Sequence, residues 1–261
     1  NLAAGTVGGA TSITATLGNI IDAGTFTVSA GGATFVTGAD AASINLGTLA
    51  VTGGITLTTN DSSGADSDAT IVNATAFAFG ASTVDGDLSA TATLGNITQS
   101  GALTVGGTGT FVTSADDADI VLSTATNAIT GEVSFTTNTS ESAAAGTSDV
   151  TFDNGVLDIV FAASTIDGDL VVTSGNVSGI TDNGTVTVDA DVTLTTDANA
   201  GVINMNQLAQ TDNSGNTLTL NTQGAGTATI VNATAVNLAA GTVGGATSIT
   251  ATLGNIIDAG T

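Results

Sequence analysis

Residues 1–25 of this 261-residue chain, NLAAGTVGGATSITATLGNIIDAGT, return without a change as residues 237–261. An unbroken copy that begins again at Asn237 marks the sequence as a window on a tandem array. Fixed-period repeats confine a fold to quasi-one-dimensional architectures, in which each unit buries its surfaces against the next. A self-contained catalytic domain has no use for a partial second copy of its own beginning, so function is to be sought in the array.

A shorter period lies inside the long one. Thr6-Val7-Gly8-Gly9, Thr83-Val84-Asp85-Gly86, Thr165-Ile166-Asp167-Gly168 and Thr242-Val243-Gly244-Gly245 are one column read four times at nearly even spacing. Gly24-Thr25-Phe26, Gly101-Ala102-Leu103 and Gly184-Thr185-Val186 form a second column. Leu17-Gly18-Asn19-Ile20, Leu94-Gly95-Asn96-Ile97 and Ser174-Gly175-Asn176-Val177 form a third. These columns predict subrepeats over approximately 6–82, 83–164 and 165–241 of one continuous segment 1–261, with 237–261 beginning the next copy of a long unit that runs over 1–236.

Within each subrepeat apolar residues alternate with small or polar ones, as at Leu103 and Val105, Val133 and Phe135, Leu157, Ile159 and Phe161, and Leu218 and Leu220. A period of two is the signature of strands with one buried face. Turn-forming clusters such as Gly106-Gly107, Asp153-Asn154-Gly155 and Asp182-Asn183-Gly184 separate these short runs. Tandem β-sandwiches and an all-β parallel β-solenoid both fit this pattern. The alternation crosses every subrepeat boundary without a flexible break, which favours the solenoid. Three strands and three corners per coil would take about 20 residues, predicting about four coils per subrepeat and about twelve per long unit. At about 4.8 Å per coil the long unit would rise about 55–60 Å. The eight phenylalanines fall on or beside the alternating positions, as expected of an apolar stack inside the coils.

Composition removes whole classes of function. The chain has no Lys, Arg, His, Cys, Pro, Trp or Tyr, and its 23 acidic residues leave a formal charge of −23. Side-chain salt bridges are impossible, and such a surface repels nucleic acid and anionic lipid. Disulfides and thiolate metal sites are ruled out. No apolar run reaches the eighteen or so residues of a membrane span, and residue 1 is not followed by an export signal. At 41% apolar and 9% charged this is a folded, Thr-rich β composition, unlike a disordered acidic tail.

The strings Ile97-Thr98-Gln99-Ser100-Gly101-Ala102-Leu103-Thr104-Val105 and Ala118-Asp119-Ile120-Val121-Leu122 resemble the repeats of filamentous haemagglutinin-type adhesins and related giant bacterial surface proteins. The resemblance covers the whole window in style and is specific in the first string. It implies a right-handed parallel β-helix exported to the outside of a diderm bacterium, often by two-partner secretion, and used as a long stalk or adhesive fibre.

The acidic clusters are the candidates for chemistry: Asp61, Asp66 and Asp68; Asp85 and Asp87; Asp116, Asp117 and Asp119; Asp167 and Asp169. Calcium takes several oxygen ligands, and Asp-Gly-Asp corners at Asp85, Asp87, Asp167 and Asp169 offer two carboxylates and a carbonyl to one ion. The competing reading is a diffuse, solvated acidic surface. Neither an EF-hand loop nor a glycine-rich calcium nonapeptide is present, and Asp85-Gly86-Asp87 becomes Gly8-Gly9-Ala10 in the first subrepeat. Paired carboxylates also serve glycosidases, but the absent Arg, Lys, His and Tyr remove the usual sugar-acid binders, and no catalytic residues are assigned. Thr-x-Thr segments such as Thr56-Leu57-Thr58 and Thr193-Leu194-Thr195 raise ice binding as a minor alternative, against ordinary outward strand positions. Seven Asn-x-Ser/Thr triplets, at Asn60, Asn73, Asn96, Asn138, Asn176, Asn183 and Asn232, are candidate glycan acceptors.

The reading that follows is a structural protein, a segment of a long extracellular solenoid forming a surface fibre, filament or sheath. A spacer stalk for an adhesin tip elsewhere is the alternative. The expected partner is the chain itself, end to end and in lateral bundles bridged by calcium or other divalent cations, with no direct membrane insertion.

Overall fold

A computed structural model describes residues 1–60, 66–138, 147–211 and 215–258. Among the described residues there are thirty strands and no helix, and the strands form two sheets of fifteen each. Every ladder between neighbouring strands is parallel. The chain winds as a parallel β-solenoid, passing from one sheet to the other at each corner. Gly5–Val7 begins what is here called sheet 1, and Thr11–Ala15 begins sheet 2.

The coil has two walls, not the three expected from strand length. Many half-turns carry two short strands separated by a Gly-containing bend, as in Ile97–Gln99 and Leu103–Val105, and both strands stay in the same sheet. Such bends look like corners in the sequence because both use the same turn residues. The length of chain spent on a coil also varies. Ala69 has Leu88 as its partner in the next coil, whereas Ile120 reaches its partner only at Val150.

The half-turns follow a fixed order. From Phe77 they run through Phe77–Phe79 with Ser82–Val84, Leu88–Ala92, Ile97–Gln99 with Leu103–Val105, Gly109–Thr113, Ile120–Leu122 with Ala128–Ile129, Val133–Thr136, and Val150–Asp153. Among the described residues that makes seven half-turns, alternating between sheet 2 and sheet 1, before Ile159–Phe161 restarts the order in sheet 1. Seven is odd, so the pattern advances three and a half turns and resumes in the opposite wall. Equivalent strands obey this throughout: Thr11–Ala15 lies in sheet 2, Leu88–Ala92 in sheet 1, Leu170–Ser174 in sheet 2 and Thr247–Ala251 in sheet 1. Three such steps make ten and a half turns per long unit, fewer than the twelve expected.

Inward positions form one continuous core from Ile20 to Val236. Seven of the eight phenylalanines are fully buried, and Phe26 packs against the core from its margin. Phe77, Phe79, Phe111, Phe135 and Phe161 form a chain of ring contacts, with centroid separations of 4.3 Å for Phe77–Phe79, 5.7 Å for Phe111–Phe135 and 6.1 Å for Phe135–Phe161. Phe152 joins this column at 5.3 Å from Phe135. The rings therefore belong to the apolar stack.

The third sequence column needs one correction. Ile20 and Ile97 are buried strand residues whose structural equivalent is Ile180, at the start of Ile180–Asp182, and not Val177, which is 60% exposed. The insertion of Val177-Ser178-Gly179 in the corner before Ile180 shifts the column. At the corresponding corners Gly18, Gly95 and Gly254 have φ of 85°, 85° and 89°, a left-handed conformation in which a side chain is strained.

Candidate functional site

A set of the acidic residues has a positional role. The residue immediately before a strand turns its side chain toward the next coil, and a one-carbon spacer brings an Asp or Asn oxygen within reach of the backbone N–H there. At the corners leading into sheet 2, Asn96 Oδ1 accepts the Asp119 N–H at 3.0 Å, and Asp119 Oδ1 accepts the Asp149 N–H at 3.0 Å. Asp149 Oδ1 accepts from Asp169 at 2.8 Å, Asp169 Oδ1 from Asp191 at 2.9 Å, and Asp191 Oδ1 from Thr217 at 2.6 Å. A second ladder stands at corners leading into sheet 1. There Asn19 accepts from Ser43 at 3.0 Å, Asp68 from Asp87 at 2.9 Å and Asp87 from Thr108 at 2.7 Å. These hydrogen bonds, charge-assisted where the acceptor is Asp, satisfy corner N–H groups that no neighbouring strand reaches.

The residues singled out for calcium are thus spread along the solenoid. Asp87, Asp119 and Asp169 are ladder members. The Asp85 N–H donates to Thr59 Oγ1, and the Asp167 N–H donates to Thr137 Oγ1. Asp167 is 3% exposed. Asp116 accepts from the Asn138 side chain at 2.6 Å, and Asp117 from the Thr147 hydroxyl at 2.6 Å. Asp61 lies outside the described residues. Among the described residues no three acidic side chains converge on one point. The Thr-x-Thr pairs at 56–58 and 193–195 do not stand over other such pairs: Thr56 and Thr58 stand over Thr34 and Val36, and Thr193 and Thr195 over Val171 and Thr173. Of the Asn-x-Ser/Thr sites, Asn73 and Asn232 are fully buried, which closes them to a glycan in the folded chain.

Those two asparagines belong to a set that the alternation pattern passes over. Asn73 Oδ1 accepts the Val51 N–H at 2.8 Å, while its Nδ2 donates to the Val51 and Ala76 carbonyls at 2.9 and 2.8 Å. Asn154 does the same with Ile129, accepting at 2.9 Å and donating at 3.0 Å, and Asn232 accepts the Gln210 N–H at 2.9 Å. Each side-chain amide stands in for a strand's backbone at a buried corner. The octapeptide Ala-Thr-Ile-Val-Asn-Ala-Thr-Ala, present at 69–76 and again at 228–235, is the signal that would have located two of them.

Asp22 and Asp182 cap bulges one coil away. The strand Ile44–Val51 slips register between Leu46 and Leu49, and Asp22 Oδ2 accepts the freed Thr48 N–H at 2.6 Å. Ile203–Gln210 slips between Met205 and Leu208, and Asp182 accepts the Asn206 and Gln207 N–H groups at 2.9 and 2.8 Å. Gln99 holds the same column in the middle subrepeat and pairs with Asn127 through two hydrogen bonds, at 2.8 and 2.9 Å.

Stacking carboxylates coil upon coil has an electrostatic cost. Burial raises the Asp149 carboxyl above its ordinary 3.8; the hydrogen bond from the Asp169 N–H works against the rise, and the charges of Asp169 and Asp119 add to it. Asp189 is raised by burial and then by Asp167, against a hydrogen bond with Thr211. A carboxyl raised in the folded state binds more protons there than in the unfolded chain. Its penalty is therefore present above the folded value and relieved as pH falls toward 3.8. Thermal midpoints are expected to rise, not fall, on mild acidification from neutral pH. Asp149→Asn should keep the Asp169 bond, as Asn96 does in the same ladder, and flatten that rise. A midpoint that drops steadily from pH 7 to 4 in both proteins would contradict this account.

At the end carrying the second copy the coil is less covered than its counterpart in the first copy. Leu218, Leu220, Leu238, Val243 and Ile249 line a cleft there. Ile256 is 48% exposed, whereas the identical residue of the first copy, Ile20, is 2% exposed.

Two parallel walls, a continuous core and polar ladders along the corners define a β-solenoid built from tandem repeats. A family model described as "Repeats of unknown function (DUF5649)" matches residues 66–136, a stretch that runs from just before Ala69–Asn73 to the end of Val133–Thr136 and holds seven successive half-turns. No curated protein and no solved structure matches the chain.

Proposed function

We propose that the chain is a structural element, a segment of a long extracellular β-solenoid that serves as a surface fibre, filament or sheath. The observation that carries this reading is the exact repetition of residues 1–22 by residues 237–258 within one unbroken solenoid, where the same coil sequence is wound twice against different neighbours. Mechanical continuity follows from backbone pairing, since among the described residues successive coils are hydrogen-bonded to one another along both walls. Extracellular placement is supported by the likeness to surface adhesin repeats and by an acidic exterior suited to a salt-containing medium.

The mass of the fully denatured native polypeptide tests the reading. A chain of many long units is expected; a species near 25 kDa would reject a covalent array. At −23 per chain, fibres repel one another at low ionic strength, and divalent cations that bridge carboxylates should gather them into bundles. Light scattering is expected to rise with millimolar calcium and fall on chelation. Scattering indifferent to both would remove the bundling role of cations.

A further inference from the structure

The two copies of the repeated segment show different sides of the same coil. In the first copy Thr11–Ala15 is covered by Ala33–Thr37, with Thr11 opposite Ala33 and Ile13 opposite Phe35. Gly5–Val7 is covered by Phe26–Val28, and Ile20 by Ile44. In the second copy Thr247–Ala251 rests on Ala228–Asn232, with Thr247 opposite Ala228, and Ile256–Asp258 rests on Val236–Leu238. Identical residues thus display one neighbour on one side and a different neighbour on the other, so together the copies specify both interfaces of a single coil. The wall has also changed: Thr11–Ala15 belongs to sheet 2 and Thr247–Ala251 to sheet 1. Likewise Ile20–Ile21 belongs to sheet 1 and Ile256–Asp258 to sheet 2.

We propose that the face carrying Val243, Ile249 and Ile256 is a docking surface for a coil with the sequence of residues 26–48, and that this coil seats half a turn out of phase, so that successive long units exchange walls. The inference rests on the array reading above and adds its geometry. The occupant is set by identity, because the residues forming this face already hold that coil in the first copy. The phase is set by counting, because three subrepeats of seven half-turns make an odd total.

A half-turn offset makes the array a two-fold screw. Each surface feature returns on the opposite side one unit later, after a rise of about 50 Å, and on the same side after about 100 Å. The exposed corner leucines already follow this rule. Leu17, 89% exposed, sits where the chain passes from sheet 2 to sheet 1, and its copy Leu253, 70% exposed, sits where it passes from sheet 1 to sheet 2. A neighbour that recognises one wall of a unit therefore finds its site alternately on both flanks of the fibre. Fibres so equipped associate into a layer, whereas a whole-number repeat would confine every site to one flank.

The test uses the full chain lengthened by three further units that continue after residue 261 with the sequence from residue 26. The absence of cysteine allows Ser12→Cys, at an exposed outward position, to mark each unit for a maleimide gold cluster seen by electron microscopy. Continuous rods with successive labels about 50 Å apart on opposite sides are expected. Continuous rods labelled along one side would overturn the half-turn phase and leave the array intact. Rods broken at each unit boundary would overturn the docking face and the array reading with it. Amide exchange at 247–258 gives an independent check, with strong slowing expected in the lengthened chain; unchanged exchange there would overturn the docking face.

Discussion

Phe135→Ala is expected to lower the stability of the central coils by about 3–5 kcal/mol, the cost of removing a fully buried aromatic ring and leaving a cavity. Phe135 touches Phe111, Phe152 and Phe161, so one truncation removes three ring contacts at the middle of the column. Solenoid stability is a sum over units and their interfaces, and the loss should appear as a local opening with the flanking ends still folded. Hydrogen exchange would show faster amides in Gly109–Thr113, Val150–Asp153 and Ile159–Phe161, together with an early phase in urea. Phe26→Ala, at the margin of the core, should cost less. Equal and small effects at both positions would mean that the column is not the packed spine described above.

Asn154→Leu is expected to be comparably damaging although it replaces a polar residue with an apolar one. The amide of Asn154 satisfies the N–H and carbonyl of Ile129 and the carbonyl of Asp158, the last at 2.6 Å, in a site 1% exposed. Leucine leaves these groups without partners, at about 1–3 kcal/mol each, so a total on the order of 3 kcal/mol or more is expected. Asn183→Leu is the control: its side chain is exposed and bonds Glu132 at the surface, and its replacement should stay within about 0.5 kcal/mol. If the two variants melt alike, the buried corner amides are not structural.

Much of the fold was legible because strand alternation is a local property. Leu103 and Val105, or Leu218 and Leu220, reveal their inward faces in any short window, and the structure buries all four. The number of walls was not legible. Ser100-Gly101 and Asp116-Asp117 are built from the same kinds of turn residue, yet the first bends a strand pair within sheet 2 and the second carries the chain from Gly109–Thr113 in sheet 1 to Ile120–Leu122 in sheet 2. The acidic residues were visible as clusters but not as ladders. Asp119, Asp149 and Asp169 are far apart in the chain, and only the winding places each beneath the backbone N–H it accepts. Asp22 and Asp182 are solitary carboxylates in the sequence, and the bulges they cap arise from a register slip in the next coil.

From its sequence alone the chain is all-β, repetitive over a long unit and over thirds of that unit, and unable to form side-chain salt bridges or disulfides. Those properties depend only on residue identity and spacing. Which wall a given strand joins is a different kind of fact. The alternation in Thr11–Ala15 and in Thr247–Ala251 is the same letter for letter, yet the strands lie in opposite sheets. A strand's own residues say which side chains face inward; its wall is set by the count of half-turns beneath it. That count is settled only when the whole chain is wound and every corner has either crossed the core or stayed on its own side.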